Sequence, residues 1–233
     1  MPILTRRKLL VDRIKAEVKL RLRPDTITYN LLAWSFGLIT NNPNTRRAAE
    51  IRVRKDSRFN KTELHMASLL PTHLLDAVAK RWHPRSVLDV GCGTGQAVRY
   101  LIDKGIDCTG LEGSQAAIDA SPVGDRIRLV NLNQSVALGR MFDLVWSYEV
   151  AEHIHPKYTD AFLQTLTSHG PVIVLSAARP GQGGVGHFNE QPPGYWIERI
   201  ERRGFLHVAE TSAQFQALPD EWARNVLVFE RRV

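Results

Sequence analysis

The sequence predicts an α/β protein built on a mostly parallel sheet, and three observations carry that prediction. Short β-rich runs alternate with helical stretches from Ser86 onward. A strand-like run, Val87–Val90, passes directly into a glycine-rich turn. The last two strand-like runs have only a loop-like stretch between them. Alternation of this kind gives parallel pairs joined by right-handed crossovers. The terminal pair, with no helix to return the chain, is expected to pair antiparallel.

Ahead of the alternating region, residues 5–22 read as a helix. Leu10, Ile14, Val18 and Leu22 recur at four-residue spacing, with Arg13, Lys15, Lys19 and Arg21 between them. Pro24 ends the pattern. Tyr29–Ile39 is a second apolar run, closed by the turn-rich Asn41-Asn42-Pro43-Asn44. Residues 45–61 are basic and poor in apolar side chains, a linker or a poorly packed helix. Residues 62–82 return to an amphipathic helix through Leu69, Leu70, Leu74, Leu75 and Val78. The chain is thus expected to divide into a basic helical extension, 1–61, and a domain, 62–233. In that domain, β-rich runs fall at 86–90, 107–111, 127–130, 142–146 and 171–176. A helix at about 193–203 precedes the final runs at 205–209 and 226–229.

The formal charge of +7 over 233 residues is unevenly spread. Residues 1–61 hold 15 Lys and Arg against 5 Asp and Glu, and the remainder holds 16 against 19. A basic arm, residues 1–23 in particular, fits an anionic surface such as lipid or nucleic acid, and fits a solvated helix face equally well. The hydrophobic fraction of 43% suits a chain that buries a core without staples. Cys92 and Cys108 lie inside core segments, which argues against a disulfide and for a reducing cytoplasm. Two thiols give no four-ligand zinc spacing, and no metal is expected. No run is long and apolar enough to span a bilayer, and the N-terminus lacks the apolar block of a secretory signal. The oligomeric state stays open.

The strongest motif is Val87-Leu88-Asp89-Val90-Gly91-Cys92-Gly93-Thr94-Gly95. Glycines at such a turn let the backbone bend sharply and approach a ligand with no Cβ in the way. A dinucleotide site wants G-x-G-x-x-G, whereas the spacing here is Gly91-x-Gly93-x-Gly95. Asp89 would also repel a pyrophosphate, while it suits a cation such as a sulfonium-bearing amino acid. Glu112, at the end of the next strand and followed by Gly113, can accept from both hydroxyls of a ribose. After the third strand, Asn131 can accept from an adenine amino group while Leu132 packs on the ring.

On these residues the chain resembles the class I S-adenosylmethionine-dependent methyltransferases. Phe142-Asp143-Leu144-Val145, followed by Glu149-Val150-Ala151-Glu152-His153-Ile154, is similar to that family's fourth-strand segment. The resemblance covers residues 86–230 and departs from the common pattern at Asn131, where many relatives carry Asp. It implies a Rossmann-like sheet of seven strands in the order 3-2-1-4-5-7-6, the last antiparallel, with helices on both faces. It also implies S-adenosyl-L-methionine as cofactor, held around Asp89, Gly91, Cys92, Gly93, Gly95, Glu112, Gly113, Asn131, Leu132 and Tyr148.

Ligands of open α/β sheets bind beyond the carboxyl ends of the strands, so the loops after the fourth and fifth strands should meet the acceptor. His153 is a candidate general base. Alternatively, Glu149 and His153, four apart, share a helix face and only brace it. The fifth-strand loop, Ser176 to Gln191, combines four glycines with His187, Asn189, Glu190 and Gln191. It suits a hydroxyl-rich acceptor, with His187 as second candidate base and Arg179, Asn189 and Glu190 as substrate contacts. It is equally a surface loop capping the helix that Pro192 and Pro193 begin. The function expected is O-methylation of a small polar, sugar-like or natural-product acceptor. The alternatives are a nucleic-acid or protein N-methyltransferase guided by the basic arm, and a binding module that does not catalyse. Ser147-Tyr148-Glu149-Val150 offers no amino-group base-methylation signature.

Overall fold

The computed structural model describes residues 69–184 and 186–232. The expected extension over 1–61, its basic arm and the boundary at 61/62 lie outside the described residues. The elements, in chain order, are α1 (Thr72–Trp82), β1 (Ser86–Val90), α2 (Gln96–Asp103), β2 (Asp107–Glu112), α3 (Gln115–Asp119), β3 (Ile127–Leu129) and β4 (Leu144–Tyr148). They continue with α4 (Thr159–Thr167), β5 (Val172–Ser176), α5 (Pro193–Glu201), β6 (Phe205–His207), α6 (Ala209–Gln216) and β7 (Val226–Arg231). The strands form one sheet of seven in the order β3-β2-β1-β4-β5-β7-β6. β1 through β5 pair parallel, and β7 runs antiparallel to both β5 and β6. Class, order and the antiparallel final strand all agree with the sequence-based expectation.

Period-two alternation turns each central strand into a two-sided surface. On β5, Val172 and Val174 face one apolar layer while Ile173 and Leu175 face the other. Val226 and Val228 of β7 join the first layer, and Leu227 and Phe229 the second. Helices α1, α2 and α6 cover the first layer with Leu74, Leu75, Val78, Val98, Leu101 and Phe215. Helices α4 and α5 cover the second with Phe162, Leu163, Leu166, Trp196 and Ile200. Among the described residues, no helix is long and apolar enough to cross a membrane.

Several local expectations shift: the run expected at 205–209 is strand only over Phe205–His207, and the helix expected over 62–82 begins, within the described residues, at Thr72. The fourth strand begins at Leu144 rather than Phe142, because the Asp143 carboxylate turns back to accept from the Arg85 and Ser86 N–H groups at 2.8 and 3.0 Å. The third strand stops at Leu129, one residue early, at the edge of the sheet. The stretch between β6 and β7, expected as loop, holds helix α6. Its sheet-facing side includes buried Thr211 and Ser212, which hide the apolar period. Ser212 Oγ donates to the Val208 carbonyl and accepts from the Val228 N–H, both at 2.9 Å, so the helix is tied to β7 by a hydroxyl. Helix α5 starts at Pro193, as the Pro192-Pro193 pair predicts.

Phe162 is fully buried between α4 and the sheet. Phe162→Ala is expected to lower folding stability by about 3–5 kcal/mol in urea denaturation. Leu206→Ala, on a residue 49% exposed, should change it by less than about 0.5 kcal/mol.

Candidate active site

The parallel strands β1, β2 and β4 all end at one edge, and their loops build the site there. The turn after β1 is fixed by torsion and by space. Gly91, Gly93 and Gly95 have φ of +82°, +55° and +76°, values that L side chains rarely adopt. A Cβ on Gly91 would stand 2.5 Å from Val150 Cγ2, and one on Gly95 2.8 Å from Ile127 Cδ1. The Gly91 and Cys92 N–H groups both donate to the Leu111 carbonyl, at 2.8 and 3.0 Å. The Cys92 side chain turns into the core, where a Cβ on Gly110 would meet its Sγ at 2.5 Å. Burial and the nearby Asp89 and Glu112 carboxylates keep that thiol protonated. Cys92 thus serves the turn through its backbone.

Two carboxylates flank the turn. Glu112 Oε2 accepts from the Gly93 N–H at 2.8 Å, and Oε1 accepts from the Gly113 and Ser114 N–H groups at 2.7 and 2.8 Å. An ionised carboxylate has about four acceptor positions, so these three bonds orient Glu112 and leave it capacity for a hydroxyl. Burial raises the Glu112 pKa, and the three N–H donors oppose that shift. Asp89 is 3% exposed. Burial, and then the charge of Glu112, push its pKa up to about 8. A ligand carrying positive charge beside Asp89 and hydroxyls beside Glu112 would offset both burdens. A sulfonium amino acid joined to a ribose has that chemistry, so the residues present fit S-adenosyl-L-methionine.

The other expected cofactor residues are more loosely assembled. Asn131 is exposed, and its Oδ1 accepts from the Asn133 N–H at 3.0 Å, which shapes the turn after β3. Leu132 packs against the second apolar layer. Tyr148 ends β4 with its ring stacked on Trp146, centroids 5.5 Å apart. Its hydroxyl donates to the Glu221 carbonyl.

Beyond β4 the chain makes a short 3-10 turn, Ala151–His153. Glu149 precedes it at φ +53°, so the shared helix face expected for Glu149 and His153 does not form. Instead, Glu149 accepts from the Ser176 hydroxyl, from Gln182 Nε2 at 2.8 Å and from Asn225 Nδ2 at 3.0 Å. His153 comes to lie beside His187 from the β5 loop, ring centroids 4.8 Å apart and nearly perpendicular. The residue reaches solvent, yet the protein packed around its ring, and then His187, pull its pKa down to about 4. His153 is therefore neutral at physiological pH. Its Nδ1 lies 3.2 Å from the Gly186 carbonyl oxygen, which only accepts, so Nδ1 carries the proton and Nε2 keeps its lone pair. His187 Nδ1 pairs with Glu190 Oε1 at 2.9 Å in the same way.

The β5 loop glycines have specific tasks. A Cβ on Gly184 would fall 2.3 Å from His187 Nε2, and one on Gly186 3.3 Å from His153 Nδ1. The Phe188 and Asn189 N–H groups both donate to the Glu152 carbonyl, at 2.9 and 3.0 Å, which zips this loop to the β4 loop. The three expected substrate contacts are engaged within the protein. Arg179 donates to the Arg224 carbonyl. Asn189 is buried and donates to Thr159 Oγ1 at 3.1 Å. Glu190 accepts from the Gly181 and Gly183 N–H groups at 2.9 and 2.7 Å while it orients His187. Sequence reasoning missed Glu152. It is fully buried, with neither carboxyl oxygen hydrogen-bonded. Burial, and then Glu149, raise its pKa to about 8. Among Glu149, His153 and His155, its charge gave no signal that set it apart.

Residues 88–169 match a family model described as a methyltransferase domain. Over 121 residues, 47% of this chain, the sequence is 33% identical to a protein of Oryza sativa subsp. japonica named probable tocopherol O-methyltransferase, chloroplastic, and the match covers 33% of that protein. The chain thus spans about a third of the length of the curated relatives it matches. Solved structures that share the fold include two methyltransferases. A sugar N-methyltransferase from a Streptoalloteichus species superposes with a TM-score of 0.56 at 18% identity, over 72% of this chain and 88% of that one. A SAM-bound amino pentose methyltransferase from Micromonospora echinaspora gives 0.57 at 16%, over 69% and 89%.

The state of Asp89 makes a pH prediction. Its folded pKa, about 8, lies above the model-peptide value of 3.8. Between those values the unfolded chain releases a proton that the folded chain keeps, so stability declines as pH rises through this window. Asp89→Asn removes that decline. The ligand-free variant should be more stable than the wild type by about 1–3 kcal/mol near pH 8, the range for an uncompensated buried group, and should lose the advantage near pH 4. Urea denaturation at both pH values checks this, and parallel pH profiles would contradict it.

Proposed function

We propose that this chain, which carries a methyltransferase domain of the class I, S-adenosylmethionine-dependent type, transfers a methyl group from that cofactor to a hydroxyl of a small polar acceptor. One observation carries the reading. The glycine turn between the Asp89 and Glu112 carboxylates lies against Val150, and three residues later the same loop presents His153 beside His187. The cofactor turn and the imidazole pair are thus parts of one continuous site.

When bound, the cofactor supplies an electrophilic methyl carbon on a sulfonium. Glu112 would hold the ribose hydroxyls, and Asp89, ionised by the nearby positive charge, would face the amino-acid portion. The Gly91–Gly95 backbone lets the ligand approach without a Cβ between them. The acceptor oxygen bonds to the methyl carbon as the carbon–sulfur bond breaks toward sulfur, and the hydroxyl proton leaves toward the imidazole pair. His153, neutral and with Nε2 unprotonated, is suited to receive it. His187, held by Glu190, orients the acceptor. Positioning supplies the rest of the acceleration. The rice relative, an O-methyltransferase by name, supports oxygen as the methylated atom. The solved structures named for sugar and amino pentose substrates support a small polar acceptor. The basic residues 1–23 are assigned to an anionic lipid or nucleic-acid surface, on their charge alone.

Transfer of radiolabelled methyl from S-adenosylmethionine into fractionated small-molecule extract tests the reading. Label recovered only in nucleic acid or protein would overturn it. Glu112→Ala should weaken cofactor binding by about 1.5–3 kcal/mol, the range for hydrogen bonds to a charged group, and calorimetry finding wild-type affinity would remove the ribose assignment. Once an acceptor is known, His153→Ala should slow turnover roughly 10²–10⁴-fold with cofactor affinity unchanged.

A further inference from the structure

The mouth of the site gathers three groups with ligating capacity, a buried carboxyl and two imidazoles that each commit one nitrogen to an acceptor. Glu152 is 0% exposed, and both of its oxygens are buried without a hydrogen-bond partner. A carboxyl buried this way is expensive unless something binds it. His153 and His187 stand beside it, and one ligand atom from each of the three residues lies within 4.8 Å of the other two. Each ring spends Nδ1 on an acceptor, the Gly186 carbonyl at 3.2 Å and Glu190 Oε1 at 2.9 Å. Metal-ligating histidines are oriented in this way, with one nitrogen tied to a carbonyl or carboxylate so that the other keeps its lone pair outward.

We propose that Glu152, His153 and His187 bind a first-row divalent cation at the acceptor mouth. Two imidazoles and one carboxylate, with no thiolate, suit zinc, manganese, iron or cobalt, and leave coordination positions open. Bonds of about 2.0–2.2 Å set the ligand atoms of one cation roughly 3–4 Å apart, so binding draws these three together by about 1 Å. The construction of the loops permits that. His187 rides on the loop of Gly181, Gly183, Gly184 and Gly186, and the Gly184 backbone lies against its ring with no Cβ between. The cation also supplies the positive charge that the neighbouring acids Glu149 and Glu152 lack. The assignment rests on the reading that this mouth receives the acceptor hydroxyl. With a cation bound, the acceptor oxygen would take an open position on it and be polarised there, its proton would pass to solvent, and the imidazoles would serve as ligands; His153 is the base of the proposed function where no cation is bound.

The test is titration of the full-length, chelator-treated protein with cobalt(II), followed by visible absorption. A ligand-field band that saturates at one cation per chain and is displaced by zinc is expected. Glu152→Gln, nearly isosteric, should abolish the band while circular dichroism and thermal melting show an intact fold. Glu190→Gln, which releases His187 but removes no ligand, should weaken binding roughly 10–100-fold. Absence of the band in the wild type, or a band undiminished in both variants, overturns the site. Either result leaves the methyltransferase reading standing, because cofactor binding and methyl transfer are measured separately, with and without chelator.

Discussion

The contact between Gly91 and Val150 is the constraint on which the rest of this site depends. At +82° and with Val150 Cγ2 2.5 Å from where a Cβ would be, position 91 admits only glycine without rearrangement. That contact brings the end of β1 against the start of the β4 loop, and in the proposed reading it joins the Asp89 and Glu112 carboxylates to the histidines in one site. The parallel sheet supplies the coarse placement by ending β1, β2 and β4 at one edge. The missing Cβ brings their loops into contact.

The electrostatics follow from this crowding. Four acids, Asp89, Glu112, Glu149 and Glu152, converge near the carboxyl edge. Asp89 and Glu152 are each raised to about 8, with a neighbouring acid adding to the effect of burial. A fold does not gain stability by burying carboxyls in this state. Positive charge brought by ligands offsets the cost, and Asp89 with Glu112 form the half of the site suited to a cationic cofactor. Glu149 is satisfied differently, through Ser176, Gln182 and Asn225. That arrangement uses its strained backbone to tie β4, β5 and the turn before β7 together.

Much of this was legible in the sequence, for identifiable reasons. Strand alternation makes the parallel pairing legible, because it dictates crossovers, while the order of the seven strands is what the family resemblance implies. The glycine turn and Glu112 are legible because torsion and charge restrict what those positions tolerate. Helix α6 was not, since it faces the sheet with Thr211 and Ser212 and binds through a hydroxyl, leaving no apolar period. The roles of Arg179, Asn189 and Glu190 were not legible either. Polarity in a loop is the same signal whether a side chain meets a substrate or the protein itself, and here Arg179 meets the Arg224 carbonyl, Asn189 meets Thr159 and Glu190 meets the backbone of its own loop. Glu152 looked like one more charge beside Glu149. Its complete burial depends on the β5 loop closing over it, a contact between residues distant in sequence.

The central claim is that the Gly91–Gly95 turn, Glu112 and the histidine pair form one site for one methyl transfer. A crystal structure of the chain with S-adenosylmethionine tests this most directly. The account predicts the ribose hydroxyls on the Glu112 carboxylate and the methyl group directed at the mouth formed by His153 and His187. A cofactor bound with its ribose away from Glu112, or with its methyl group turned from both histidines, would contradict it.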